Sequence, residues 1–329
     1  MNPVFHDHSA DAPPTEGVVI SKIENTLDDV LEELHLPKNG NSVKYEKYIY
    51  LATDHFTQSD EYPLTMGWFR WGISSVAGPG GEDAGEPLHT DRSDSVGILE
   101  TSPSEIREFL REGEHGMPLS EWWEEDLLDF VERFYTLHAP DEYRGIYLAN
   151  IALLRLLDDI ERSIHYNEEP VSDEEYHGVC SAVADLKRNA LSVDRLEPNY
   201  GYLKEVGNLI EDVTMVLLEL DTEEIDEIHR TAIDQLTTVY RDLVWLMIAH
   251  NMSINSAIGP NTSHIYARSS RKLRGLQDKF PEQFEQTKTV CSEADLLPNI
   301  EDYSEHEHST EEFGEKVDKF MSVIDRRAD

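Results

Sequence analysis

The sequence predicts an all-α protein, a multi-helix bundle preceded by a small N-terminal helical unit of winged-helix-like order. Three observations carry that prediction. Leu, Ile, Val, Phe and Trp recur at three- and four-residue spacing through most of the 329 residues, the period of an amphipathic helix. Serine capping boxes and prolines fall where such helices should begin. A hydrophobic fraction of 39% supplies a core despite acids throughout the chain.

Residues 1–16 carry no periodic pattern and read as a disordered tail. From Val18, the positions Ile20, Ile23, Leu27, Val30, Leu31 and Leu34 share one helical face, and Pro37-Lys-Asn-Gly40 ends that helix. A second helix is predicted over Val43–Phe56, with Tyr45, Tyr48, Ile49, Ala52 and Phe56 along one side. Pro63 suits the first turn of a third, Leu64–Val76. Residues 78–101 hold glycine, proline and acids without a helical period, a functional loop or linker with one short strand at Val96–Glu100. Ser102-Pro-Ser-Glu105 is a capping box that opens a helix to Glu112. Ser120 caps another, in which Trp123, Leu127, Phe130, Val131, Phe134 and Leu137 face one way.

Pro140 separates this N-terminal unit (17–138) from a longer bundle (139–295). The bundle opens with a buried helix over Asp141–Tyr166. A second capping box, Ser172-Asp-Glu-Glu175, begins a helix to Leu191, and Pro198 begins the next. Thr222 caps the longest helix, whose Ile225, Ile228, Ala232, Leu236, Val239, Leu243, Leu246 and His250 form a heptad-like seam. Such a seam suits an antiparallel bundle or a dimer. Gly259-Pro260 precedes a helix over Ser263–Phe280, and Glu282–Ser292 adds a turn or two. Residues 296–329 read as an acidic tail with a terminal amphipathic helix through Phe313, Val317, Phe320 and Ile324.

Against 67 Asp and Glu the chain has 28 Lys and Arg, a formal charge of −39. This evenly acidic, lysine-poor surface resembles proteins of salt-accumulating archaea. In molar salt the screening length is about 3 Å, so the self-repulsion of such a surface is damped; in dilute buffer it should unfold the protein. Cys180 and Cys291 stand far apart in no Cys-x-x-Cys, which excludes a disulfide scaffold and a cysteine zinc site. The N-terminus lacks the basic and apolar regions of a signal peptide. The longest apolar run, Leu243–Ala249, is far short of the roughly 20 residues that span a bilayer. A soluble cytoplasmic protein with no membrane partner is expected.

No catalytic, cofactor or metal constellation assembles in the sequence. The pairs Glu112…His115, Glu174…His177 and Glu305…His308 have the spacing of a di-iron motif but fall at a helix end, in a first turn and in the acidic tail. Gly78–Gly85 lacks the Gly-Lys-Ser/Thr that ends a phosphate loop. His250 continues an apolar seam, as a core histidine does, and of Asp158-Asp159 one acid should face solvent. Two surfaces remain. The first is the aromatic run Tyr45–Ala77, where Tyr48, Trp68, Phe69 and Trp71 are candidate partner-binding residues. The second is the basic helix at 264–280, where Arg268, Arg271, Lys272, Arg274 and Lys279 are candidate nucleic-acid contacts. At about 100° per residue, Arg268, Lys272 and Lys279 share an arc of roughly 40°.

Within the aromatic run, Lys47-Tyr-Ile-Tyr-Leu-Ala-Thr-Asp54, Pro63-Leu-Thr65 and Trp71-Gly72 resemble the start of the Panacea antitoxin domain. A threonine interrupts the family's Ala-Asp, Met66 replaces a glycine and Ile73 replaces a proline. The resemblance covers residues 47–72 and implies a binding module that neutralises a toxin, without catalytic residues. The expected function is therefore a non-enzymatic interaction or regulatory protein that meets another protein, or itself, through the aromatic run or the 225–250 seam. Two alternatives are a nucleic-acid regulator using the basic helix and Arg70, and a helical enzyme with a dispersed site in the bundle core.

Overall fold

A computed structural model describes residues 14–38, 42–57, 64–75, 101–113, 116–167, 170–221 and 224–298. The loop at 78–100, with its short strand, and the tail helix lie outside these residues.

Helix α1 (Pro14–Glu33) buries Val19, Ile20, Ile23, Leu27, Val30 and Leu31, the predicted face. It starts inside the stretch read as a tail, because Glu16 has a buried partner set described below. Its end is set by His35 at φ 58°, not by Pro37. The His35 amide donates to the Glu32 carbonyl and the Leu36 amide to the Leu31 carbonyl, the paired bonds of a Schellman cap. Helix α2 (Ser42–Phe56) follows as predicted.

The third helix does not form. Residues 64–75 instead hold an antiparallel hairpin, β1 (Met66–Phe69) with β2 (Gly72–Ser75), paired Met66↔Ser75 through Phe69↔Gly72. A proline and three-residue spacing suggested a helix, but Trp, Phe and Ile suit a pleated, half-buried surface better. Gly72, at φ +92°, supplies the left-handed residue that closes a hairpin after a turn of ordinary residues. This removes the winged-helix-like order, since its reader helix is absent.

The capping box at Ser102 starts α3 (Pro103–Glu112). The single helix expected from Ser120 is two, α4 (Leu119–Trp122) and α5 (Leu127–His138), the second capped by Asp126. The interruption has a cause: buried Lys44 Nζ donates to the carbonyls of Trp123 at 2.8 Å and Glu125 at 2.6 Å, which frees them from helical pairing. Helix α6 (Asp141–Arg162) runs into a π-helical turn at Ser163–Asn167. It is followed by α7 (Asp173–Ser192), opened by the Ser172 capping box, and α8 (Glu197–Glu219).

The longest predicted helix is also divided. Asp226, not Thr222, caps α9 (Glu227–Val239); a π turn at Tyr240–Val244 leads into α10 (Trp245–Ser256). The π turn places the Tyr240 hydroxyl against Asn150 Oδ1 at 2.6 Å in the interior. Helix α11 (Thr262–Glu293) is continuous through Pro281 and merges the two pieces expected there.

The seam lies inside the protein. Ile225, Ala232, Leu236, Val239, Leu243 and His250 are buried, with α9 and α10 packed on α11. Self-association through it is thereby corrected: the apolar surface is already covered within one chain. Residues on both sides of position 138 also belong to one continuous core, so the N-terminal unit does not close a core of its own. No helix among the described residues is long and apolar enough to cross a membrane.

Candidate interaction face

The hairpin is where the N-terminal segments meet the end of the bundle, and its backbone is held from every side. Along the outer edge of β1, Met66 and Ile258 exchange amide-to-carbonyl bonds of 3.0 and 2.9 Å, and the Trp68 amide donates to Ser256 Oγ at 2.7 Å. An edge strand is thus capped by the end of α10. From below, Tyr147 Oη donates to the Phe69 carbonyl at 2.6 Å, Trp245 Nε1 to the Arg70 carbonyl at 3.0 Å and Lys47 Nζ to the Ile73 carbonyl at 2.7 Å. With its carbonyls so engaged, the two-residue turn Arg70-Trp71 is fixed in place.

A second set of bonds pins the chain just before β1. Buried Glu16 accepts from the Thr65 amide at 2.9 Å, Thr65 Oγ1 at 2.8 Å and Asn261 Nδ2 at 2.8 Å, and the Asn261 amide donates to Thr65 Oγ1 at 2.9 Å. Three segments far apart in sequence converge on one carboxylate. The approach is close enough that a Cβ on Gly259, at φ +99°, would lie 2.2 Å from the Leu64 carbonyl oxygen.

Of the four aromatic candidates, the structure moves two into the core. Tyr48 is fully buried, its hydroxyl donating to the Met117 carbonyl. Trp68 is buried among Tyr50, Phe134 and Tyr147. Both are corrected as direct contact residues: the alternation of β1 turns Trp68 inward. Phe69 and Trp71 are half-buried at the tip. Between them, Arg70 pairs with Asp242 at 2.7 Å and stands over the Trp71 ring at 5.7 Å.

Of the five cations, Arg268 is half-buried and Arg271, Lys272, Arg274 and Lys279 are exposed. Two of them join the hairpin through His250, which lies 4.7 Å from the Phe69 ring. Burial, then the charges of Arg268 and Lys272, pull the His250 imidazole down to about 4, so it is neutral at ordinary pH. The charge of Arg268 also acts on Glu46, a buried carboxyl adjacent to fully buried Lys47. Burial raises Glu46 and lowers Lys47, and each charge partly offsets the other's shift. The Glu46–Lys47 separation is 3.9 Å, and Lys47 is held by the Ile73 carbonyl and stands 5.8 Å over Phe134. Aromatic run and basic helix, separate in the sequence, therefore meet around His250.

The sequence assigns no role to Glu16, Lys44, Tyr147 and Trp245, and marks Lys47 only as part of the Panacea-like run. A signal was present for the lysines, which sit on the apolar stripe of α2 beside Tyr48 and Leu51 and so had to bury their heads against carbonyls. Nothing local marks Glu16, whose partners lie at 65 and 261. Of the paired acids, Asp159 is exposed, and burial raises half-buried Asp158. Among the described residues no group of His, Cys, Asp and Glu has the geometry to hold a metal ion. His115, Glu305 and His308 of the di-iron spacings lie outside those residues. Cys180 and Cys291 are free thiols.

No curated protein and no solved structure matches the chain. A family model does, over residues 100–322, which is more than half of the sequence and takes in the bundle but not the hairpin. On that match, the chain belongs to the family described as a domain of unknown function, DUF8098.

Proposed function

We propose that this is a non-enzymatic regulatory protein of a salt-loaded cytoplasm that binds another protein through the hairpin tip. The observation that carries the reading is the rigid presentation of Phe69, Arg70 and Trp71. Tryptophan and arginine dominate the energetic centres of protein interfaces, and a tip fixed by Tyr147, Trp245 and Lys47 loses little entropy on binding. The polar side chains beneath the tip cap backbone carbonyls, a supporting role and not the poise of a catalytic group. The resemblance of residues 47–72 to the Panacea antitoxin domain supports a toxin-like protein as the partner class. Apolar and stacking contacts also persist in salt that screens ionic ones.

A photo-crosslinking residue at position 71, in molar KCl, should give a discrete protein adduct. The same residue at exposed Leu191 should not. Trp71→Ala should keep the fold and lose the partner. If position 71 gives no adduct above the Leu191 background, the reading fails.

A further inference from the structure

The acids of this chain are spread almost everywhere, which makes their absence informative. With 67 Asp and Glu in 329 residues, the two longest stretches without either are 243–277 and 62–81. These are the stretches that fold together, β1 packing on α10 and pairing with Ile258. A buried segment needs no acids, and most of α10 is buried. The first half of α11 is different: Arg271, Lys272 and Arg274 are exposed there, Lys279 follows just beyond, and Tyr266 is 44% exposed.

The way this protein treats its other helical cations sharpens the contrast. Arg144, Arg162, Arg188, Arg230 and Lys288 each pair with an acid three residues earlier on the same helix, Asp141, Asp159, Asp185, Glu227 and Glu285. On α11 the positions three before Arg271 and Arg274 are Arg268 and Arg271, so cation follows cation. Among the described residues none of Arg271, Arg274 and Lys279 makes an ion pair; Arg274 Nε donates to the Ser270 carbonyl of its own helix. A solvated salt-bridged face is therefore not what the first half of this helix presents, although Lys288 and Glu285 form one near its end.

We infer that the outward face of α11 is a binding surface for the phosphate backbone of a nucleic acid, separate from the hairpin tip. Guanidinium forks match phosphate oxygens two bonds at a time and lose less to hydration than ammonium groups. Arginines one helical turn apart rise about 4.5 Å per step, a spacing that lets neighbours reach successive phosphates along a strand. The exposed Tyr266 ring offers a base a stacking partner. Around Arg271 and Arg274 the clearance of carboxylates also fits phosphate, while Lys279, next to exposed Asp278, marks the edge of the cleared surface.

The test is fluorescence anisotropy of the full chain with a labelled DNA duplex and, in a second arm, single-stranded RNA, over a KCl series in which circular dichroism shows the protein folded. Three cations neutralising duplex phosphates, at a slope of about −0.9 each, weaken binding roughly sixfold for every doubling of KCl. Exchanging all three, R271E/R274E/K279E, should cost more than tenfold at fixed salt and flatten that slope, with an unchanged melting curve in molar KCl, where the added charge is screened and none of the three is ion-paired. The arm that binds more tightly identifies the nucleic acid. No binding in either arm, binding that the triple variant leaves intact, or poly-L-glutamate binding as tightly as nucleic acid would overturn the inference. Trp71→Ala should leave this binding unchanged, which separates it from the protein interface.

Discussion

Glu16→Ala offers the most direct measure of how the hairpin is anchored. The Glu16 carboxylate is 2% exposed and accepts three hydrogen bonds of 2.8 to 2.9 Å from Thr65 and Asn261. Bonds to an ionised acceptor contribute about 1.5–3 kcal/mol each, and a buried donor left unpaired costs about 1–3 kcal/mol. Removing the carboxylate orphans the Thr65 amide, the Thr65 hydroxyl and the Asn261 side-chain amide together. Some of this is recovered if water enters the vacated space, so a loss of about 3–5 kcal/mol is expected. Urea unfolding followed by tryptophan fluorescence at constant molar KCl measures it. Amide exchange at Thr65 and Met66 should accelerate in step, because the anchor holds that strand. Glu16→Gln keeps the volume but turns a donor toward donors, and should fall between the variant and the parent. The double variant with Asn261→Ala should show a coupling of about 1–2 kcal/mol. A loss below about 1 kcal/mol, or strict additivity with Asn261→Ala, would mean that the three segments are not held by this carboxylate.

Other expectations follow from the same geometry. His250 has a folded-state value near 4, below its ordinary 6.5, so the unfolded chain binds the extra proton between those values. Its contribution, about 3 kcal/mol, is complete above pH 6.5 and is lost as pH falls toward 4. Its imidazole resonances should titrate near 4, and His250→Phe should flatten that acid limb of stability. Lys44→Met leaves the Trp123 and Glu125 carbonyls without their donor and should cost about 2–3 kcal/mol in the same urea assay. With a formal charge of −39, the melting temperature should climb from tenth-molar to molar KCl as repulsion is screened. A flat response would remove the case for salt adaptation.

Helix content was legible because burial on one face imposes a period that any window of a dozen residues displays. The capping boxes at Ser102 and Ser172 carry their own local hydrogen bonds, so each marks its helix start within four residues of sequence. Breaks inside helices were not legible. The gap between α4 and α5 depends on Lys44, nearly 80 residues earlier in the chain, and the π turn at Tyr240 is joined to Asn150, 90 residues away. The hairpin is hidden in the sequence for a related reason. Its helical alternative has acceptable local propensity, and the balance is tipped by Tyr147, Trp245 and Lys47, which donate to its carbonyls, and by Ile258, which pairs with its edge.

By itself, then, the sequence determined the all-α bundle, the acidic surface and the two regions that escape that acidity, since composition and period are properties of short windows. Only the tertiary structure decided which of those residues face outward. It buried Tyr48 and Trp68, left Phe69 and Trp71 at a rigid tip, and brought Arg268 and Lys272 beside them through His250. It also covered the 225–250 seam with α11, so an apolar stripe that looked available for a partner is satisfied within the chain. The physical reason is the same throughout: periodicity specifies that a face will be buried, whereas the partner that buries it comes from elements distant in sequence.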